Sequence, residues 1–368
     1  MKIALITPSY SRTSGDWCIP VLRGYAEALA ARGVEVHVFP LAYPPERREY
    51  SLGAVRVHAV GGPRLMSWAR DPRVFARALG LIAAEHGRGR FDALHAVFAD
   101  ECGPIALAAG RRLGVPVIAT LAGGELVGMR ELGYGCDLFW PRALAVRLTL
   151  RGARRIVVPS VYMDKLLRRR TARSAAVIPW GIDVDRFRPA PSRQTGAEVL
   201  CVAELRPVKE GALLVRAFAR AAAARPEARL TLVGGGEAPD VPPGVRVARR
   251  ARLAWDALPA VYAHAGVFAI ASRHEAFCLA ALEAMACGLP LAGTAVGVLH
   301  EACAGDCPAG LCAEAGDEIA LAAALEALLC DGALRERLGR NGRDQAAERY
   351  AWRTVVARHE TLYREAAA

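Results

Sequence analysis

Two glutamates and a prospective anion-binding turn coincide in one stretch, Ser272-Arg273-His274-Glu275-Ala276-Phe277-Cys278-Leu279-Ala280-Ala281-Leu282-Glu283-Ala284-Met285-Ala286-Cys287-Gly288-Leu289-Pro290. The apolar run before it predicts a strand over 267–271, and its Ala, Leu and Met content predicts a helix opening near Phe277 and closing at Gly288 and Pro290. The first turn of such a helix offers backbone N–H groups without intrahelical partners at the positive end of the dipole, an anion site that needs no lysine. Were the whole segment helical, Glu275 and Glu283 would stand roughly 12 Å apart along the axis, beyond the ~5 to 9.5 Å of a glycosidase acid and nucleophile pair. Carboxylates so far apart suit a long ligand, with a diphosphate at the helix N-terminus and a hydroxyl-rich group toward each glutamate. A nucleoside-diphosphate sugar has that form. The plainer alternative makes Glu275 a helix-cap carboxylate and Glu283 a solvated helix residue.

Other chemistries find less support. Neither G-x-G-x-x-G after the first strand nor G-x-x-x-x-G-K-[ST] occurs, which weighs against redox dinucleotide enzymes and P-loop NTPases. Cys303, Cys307 and Cys312 are spaced like metal ligands but lack a CxxC pair and a nearby fourth ligand, so no metal is expected. The other cysteines lie in apolar segments and read as reduced, small hydrophobes. Asp183-Val184-Asp185 matches a metal-binding D-x-D in form only, since it lies in a turn-rich linker, and His95 on a strand reads as a sheet or core histidine.

The elements that must position these residues follow a strand-helix rhythm, which predicts parallel sheets built from βαβ units. Strands are expected at 2–7, 34–39, 92–97, 115–121, 155–159 and 176–179, with helices at 20–32, 103–113 and 161–170. The rhythm pauses over 180–192, a Pro-containing linker, and resumes with strands at 198–203, 229–233, 245–249, 267–271 and 290–294 and helices at 211–224, 256–264 and 277–287. Helices near 316–330, 333–348 and 352–366 close the chain. The fold class expected is therefore α/β, two Rossmann-like doubly wound domains facing across a cleft. Ligands bind such sheets at the carboxyl ends of the strands.

A chain of 368 residues exceeds what one hydrophobic core sustains. With 53% hydrophobic and 23% charged residues it is not a disordered chain. Apolar runs are broken too often to span a bilayer, and the opening Met1–Pro8 reads as a buried first strand of a cytoplasmic protein rather than a signal peptide. Residues 1–185 hold 26 Lys plus Arg against 16 Asp plus Glu, so nearly all of the net charge of +11 lies there. Arg168-Arg169-Arg170 and the series Arg142, Arg147, Arg151, Arg154, Arg155 could meet acidic lipid headgroups or an anionic acceptor, or form a solvated basic face. Zinc-finger spacing and an aromatic-studded RNA-binding signature are absent, which disfavours nucleic acid.

The run from Glu275 to Pro290 resembles the E-x7-E signature of family-four retaining glycosyltransferases with the GT-B fold. The resemblance extends to Val177-Ile178-Pro179-Trp180-Gly181-Ile182-Asp183, Leu205-Arg206-Pro207-Val208-Lys209, Val233-Gly234-Gly235-Gly236 and Tyr350-Ala351-Trp352. It implies an acceptor-side domain over 1–185 with the last helix, 350–368, crossing back onto it, and a donor-binding domain over 186–349. It further implies that Glu275 holds hydroxyls of the donor sugar, Glu283 the ribose, and the amides of Phe277, Cys278 and Leu279 the diphosphate. Lys209 would neutralise the leaving diphosphate with help from Arg206, which makes Glu275, Lys209 and Arg206 the catalytic group. Ser14-Gly15-Asp16 resembles the glycine loop near donor and acceptor, and domain closure would bring Gly15 and Glu125 toward the donor.

Three departures accompany the resemblance. Ala203-Glu204-Leu205 stands where the family has Gly-Arg-Leu, Ala122-Gly123-Gly124-Glu125 where many members read His-Gly-x-Asp, and Cys278 where glycine is usual. The activity implied is transfer of a hexose from a UDP- or GDP-sugar, with retention and without metal or cofactor, to a small-molecule, glycan or lipid-linked acceptor. Gly123 and Glu125, with Ser14 and Asp16, would face that acceptor. The charge split, rather than the resemblance, suggests peripheral contact of this cytoplasmic protein at an anionic inner membrane face. The alternative is a non-catalytic relative that binds a sugar nucleotide as a partner subunit.

Overall fold

The computed structural model describes residues 1–62, 72–190 and 197–368. These form two compact units, one of Met1–Pro159, Met163–Gly181 and Trp352–Ala368, the other of Ser160–Tyr162 and Ile182–Ala351. Before the last helix, the first unit's chain therefore breaks at Gly181 rather than at the expected 185. Ile182 already belongs to the second, its N–H donating to Tyr350 O at 2.8 Å. Pro191 and Ser192 of the expected linker lie outside the described residues.

In the first unit β1 (Lys2–Ser9), β2 (Glu35–Tyr43), β3 (Arg48–Leu52), β4 (Val55–Ala59), β5 (Ala93–Val97), β6 (Val117–Thr120), β7 (Arg155–Val158) and β8 (Ala176–Val177) form one sheet. Its order is β3-β4-β2-β1-β5-β6-β7-β8. All pairings are parallel except β3 with β4. Ile3, Leu5 and Ile6 are buried beside Val36 and Val38, as expected of strands covered on both faces. The β3–β4 hairpin and the helices Pro72–Arg88 and Trp140–Gly152 are absent from the expected elements. β3, Arg-Glu-Tyr-Ser-Leu, is an edge strand whose charge hides its strand character.

Helix Trp352–Ala367 packs into this unit through Trp352, against which Gly24 and Gly181 lie so closely that a Cβ at either would approach its ring to 2.9 and 2.2 Å. Deeper, the Tyr363 hydroxyl bonds Tyr25 OH and His95 Nδ1, both at 2.6 Å, while His95 Nε2 reaches Thr120 at 2.7 Å. Burial pushes the His95 pKa well down, consistent with a neutral core histidine.

The second unit is a six-stranded, wholly parallel sheet of β9 (Glu198–Val202), β10 (Arg229–Val233), β11 (Val247–Arg250), β12 (Val267–Ile270), β13 (Leu291–Thr294) and β14 (Gly310–Ala313). Its order, β11-β10-β9-β12-β13-β14, runs outward in both directions from a switch point between β9 and β12. In the first unit the corresponding switch lies between β1 and β5. Each unit is thus a Rossmann-like doubly wound domain. β14 was not expected, because Gly310-Leu311-Cys312-Ala313 is short and follows a Gly/Pro/Asp-rich loop.

Candidate functional site

The loops leaving β9 and β12 meet at the switch point of the second unit. After β9 the chain turns through Leu205 and Arg206 into a short 3-10 turn, Pro207–Lys209. After β12 it runs through Ser272 to Glu275, and the Arg273 N–H joins the two loops by donating to Val208 O at 2.9 Å. The Lys209 ammonium forms an ion pair with Glu275 Oε1, an oxygen that also accepts from Ser272 Oγ at 2.7 Å. Glu275 is 9% exposed. It is thus held by a lysine and a serine, and the cap position of the following helix falls instead on Cys278, which makes no side-chain cap bond.

That helix spans Leu279–Ala286, two residues later than expected, because Cys278 adopts φ +77° and ψ +75°. This left-handed conformation suits glycine and is strained in cysteine, so the third departure has a structural counterpart. Burial, and next the Glu275 charge, push the Cys278 thiol well up, so it is no thiolate nucleophile at neutral pH. The turn is packed tightly from the other side. Gly297, at φ +56°, lies so close that a Cβ there would meet Phe277 O at 2.5 Å and Glu275 Cβ at 2.9 Å. Val298 N–H donates to Phe277 O at 2.6 Å.

Glu283 is buried rather than solvated. Its carboxylate accepts from Tyr262 OH at 2.7 Å and Trp255 Nε1 at 3.3 Å. Burial raises its pKa to about 7 against the lowering effect of those two donors. Trp255 in turn lies under the Arg186 guanidinium, 4.3 Å from its ring centroid.

Around β9 the Gly234-Gly235-Gly236 segment presses on the strand end: a Cβ at Gly234 would fall 1.9 Å from Ala203 O. Glu204 is exposed and pairs with Arg252 at 3.6 Å, and Arg206 is exposed at the entry to the 3-10 turn. Arg249 donates to Gly236 O at 3.1 Å. Asp183 Oδ1 accepts from the Asp185 and Arg186 N–H groups at 3.1 and 3.0 Å, which makes the D-x-D a turn. None of the ten cysteines is joined in a disulfide.

In the first unit, Ser14, Gly15 and Asp16 follow β1 at its switch point. Asp16 accepts from the Arg12 N–H at 2.7 Å and Tyr43 OH at 2.9 Å, while Ser14 O accepts from Arg23 at 2.6 Å. A Cβ at Gly15 would meet nothing within 4 Å, so the fold itself does not demand glycine there. Glu125 turns back on its own loop, 2% exposed, accepting from Ala122 and Gly123 N–H at 3.0 and 2.7 Å. Burial, then the nearby Asp100, raise its pKa to about 7.

Lys209 and Glu275 are thus brought into contact, with the turn of Phe277, Cys278 and Leu279 following in sequence and Glu283 about one turn into its helix. Sequence reasoning missed Ser272, Tyr262, Trp255 and Gly297. Ser272 lies three positions before Glu275 and was legible as a partner; the others depend on tertiary packing.

Residues 184–345 match the family described as Glycosyl transferases group 1, and residues 21–186 match Glycosyltransferase Family 4. The D-inositol 3-phosphate glycosyltransferase of Frankia alni is 30% identical over 382 residues, covering 92% of this chain and 91% of that protein. Sucrose-phosphate synthase from Thermosynechococcus elongatus shares the fold at a TM-score of 0.79, with 23% identity over 99% of this chain and 98% of that one. Anabaena HepE, solved in complex with UDP-glucose, shares it at a TM-score of 0.72, with 18% identity over 98% of this chain and 99% of that one.

Proposed function

Since the chain belongs to the glycosyltransferases of group 1 and family 4, we propose that it moves a hexose from a UDP- or GDP-sugar to an anionic hydroxyl acceptor. The observation that carries this reading is the Lys209–Glu275 pair at the β9/β12 switch point, beside the N-terminus of helix Leu279–Ala286. An incoming diphosphate takes the ammonium and the helix-terminal amides of Phe277, Cys278 and Leu279, and releases Glu275 to accept sugar hydroxyls. Glu283 accepts ribose hydroxyls with Tyr262 and Trp255 fixing its orientation. Lys209, aided by Arg206, offsets the charge that grows on the leaving diphosphate.

A donor phosphate oxygen can take the acceptor proton in a front-side attack, so the new bond keeps the configuration of the old and no enzymic base is needed. The charge work falls to Lys209 and the helix, so catalysis proceeds without metal. Ser14, Gly15, Asp16, Gly123 and Glu125 belong to the acceptor side, with Glu125 shaping its loop through backbone N–H groups. The excess of Lys and Arg over residues 1–185 supports an anionic acceptor, as does the D-inositol 3-phosphate in the name of the Frankia alni relative.

The test is incubation with UDP-glucose or a GDP-hexose and inositol phosphate in EDTA, following the product's anomeric proton by NMR. An α-linked product from an α-linked donor is expected. Nucleotide binding without transfer to any acceptor would favour the partner-subunit reading.

A further inference from the structure

Three buried side chains that the sugar transfer does not use meet inside the first unit: His37 of β2, His58 of β4 and Glu85 near the end of helix Pro72–Arg88. Among the described residues they are the one group of three possible metal ligands, their ligand atoms all within 4.8 Å of one another. His37 Nδ1 stands 2.9 Å from His58 Nε2 and 3.6 Å from Glu85 Oε1. The outer ring nitrogens both face carboxylates, His37 Nε2 that of Glu35 at 3.1 Å and His58 Nδ1 that of Glu49 at 3.3 Å. An ionised carboxylate only accepts, so both outer nitrogens carry hydrogen. A neutral imidazole has a single N–H, which leaves two lone pairs facing each other across 2.9 Å. That arrangement is repulsive unless a cation is shared between them.

We propose that the cation is a zinc ion, held by His37 Nδ1, His58 Nε2 and Glu85 Oε1 with water as the fourth ligand. Two imidazoles and a carboxylate are a donor set that suits zinc. Tetrahedral zinc with bonds of about 2.0–2.1 Å sets its ligand atoms about 3.3 Å apart. The separations of 2.9 and 3.6 Å are within a few tenths of that, and the third pair closes from at most 4.8 Å. Glu35 and Glu49 act as the carboxylates that orient ligating histidines and raise their basicity. Arg88 donates to Glu85 Oε2 at 2.9 Å, which leaves Oε1 to face the rings. Lys2 Nζ lies 3.3 Å from that oxygen, yet it also donates to Glu85 O at 3.1 Å and Gly89 O at 2.9 Å, so it stays bonded when the ion takes the carboxylate. A solvent-open cavity of about 370 Å³, bordered by Glu35, Glu49, His58, Glu85 and Arg88, gives the ion and its water a way in. Lys2 and Glu35 open β1 and β2, whereas the Ser14–Asp16 loop follows the far end of β1. The ion is therefore a clip between β2, β4 and helix Pro72–Arg88, remote from the acceptor loops. The inference does not rest on the sugar transfer proposed above, because zinc binding requires no sugar nucleotide.

The experiment is titration of the chelator-stripped full chain with zinc against a chromophoric competitor, repeated with cobalt. One equivalent of zinc is expected to bind at micromolar Kd or tighter and to raise the melting temperature, since the ion binds the folded chain. Cobalt should give the visible absorption of a four-coordinate site without thiolate charge-transfer bands, which separates this site from any held by the cysteines. His58→Gln should abolish that equivalent. Glu49→Gln, at a side chain 58% exposed and so tolerant of change, should weaken zinc binding about tenfold or more. Thiolate absorption, or equal zinc affinity in wild type and both variants, would overturn the proposal. So would no zinc binding at millimolar concentration, with nitrogen NMR showing one of the two histidines doubly protonated, because the shared cation would then be a proton.

Discussion

Lys209 and Glu275 neutralise one another, so a diphosphate that binds there takes the lysine while sugar hydroxyls take the carboxylate. Lys209→Ala is expected to lower kcat/KM by about 10²- to 10³-fold, as loss of one transition-state donor does, and steady-state kinetics on the identified donor will read it. Glu283 makes a second prediction. Its pKa of about 7 exceeds the ordinary 4.5, so between those values the folded chain keeps a proton that the unfolded chain has lost. Stability from this group is therefore full below about pH 4.5 and is lost as pH rises through 7. Glu283→Gln removes the charging cost. Its stability relative to wild type should climb between pH 5 and 8 by on the order of 3 kcal/mol, then level off, in urea unfolding at a series of pH values. A pH-independent difference would show that Glu283 ionises freely.

At the scale of elements, the turn at Cys278 and the last helix each rest on a few contacts. Because Cys278 occupies left-handed space, Cys278→Gly should unfold within about 1 kcal/mol of wild type, whereas a β-branched Cys278→Val should cost on the order of 2 kcal/mol. Tyr363→Phe leaves Tyr25 and His95 without a shared buried hydroxyl and should cost about 1–3 kcal/mol in urea unfolding. The parallel strands were legible because runs such as Val267–Ile270 are apolar throughout, and Gly114 marks a helix end at φ +68°. The β3–β4 hairpin was not, since its edge strand is charged, and neither was helix Trp140–Gly152, whose exposed side mixes apolar residues with arginine. Within the site, the spacing of Glu275 and Glu283 pointed to a long ligand. Nothing local marks Tyr262 and Trp255 as partners of Glu283, because a loop and helix preceding β12 bring them there.

For the whole molecule, charge is divided unevenly, with nearly all of the net +11 in residues 1–185. An anionic acceptor attracted by that field should show a KM that rises with salt while kcat changes little, and initial rates over a salt series would reveal it. A flat KM would remove the electrostatic argument for the acceptor. The donor-binding role of Lys209 is tested most directly by isothermal titration of wild type and Lys209→Ala with UDP, GDP and UMP in EDTA. One nucleoside diphosphate should bind the wild type and bind the variant at least about tenfold more weakly, while a monophosphate should be nearly indifferent to the substitution. Equal affinity of wild type and variant for that diphosphate, or no binding of either diphosphate at millimolar concentration, would contradict a donor site built on Lys209.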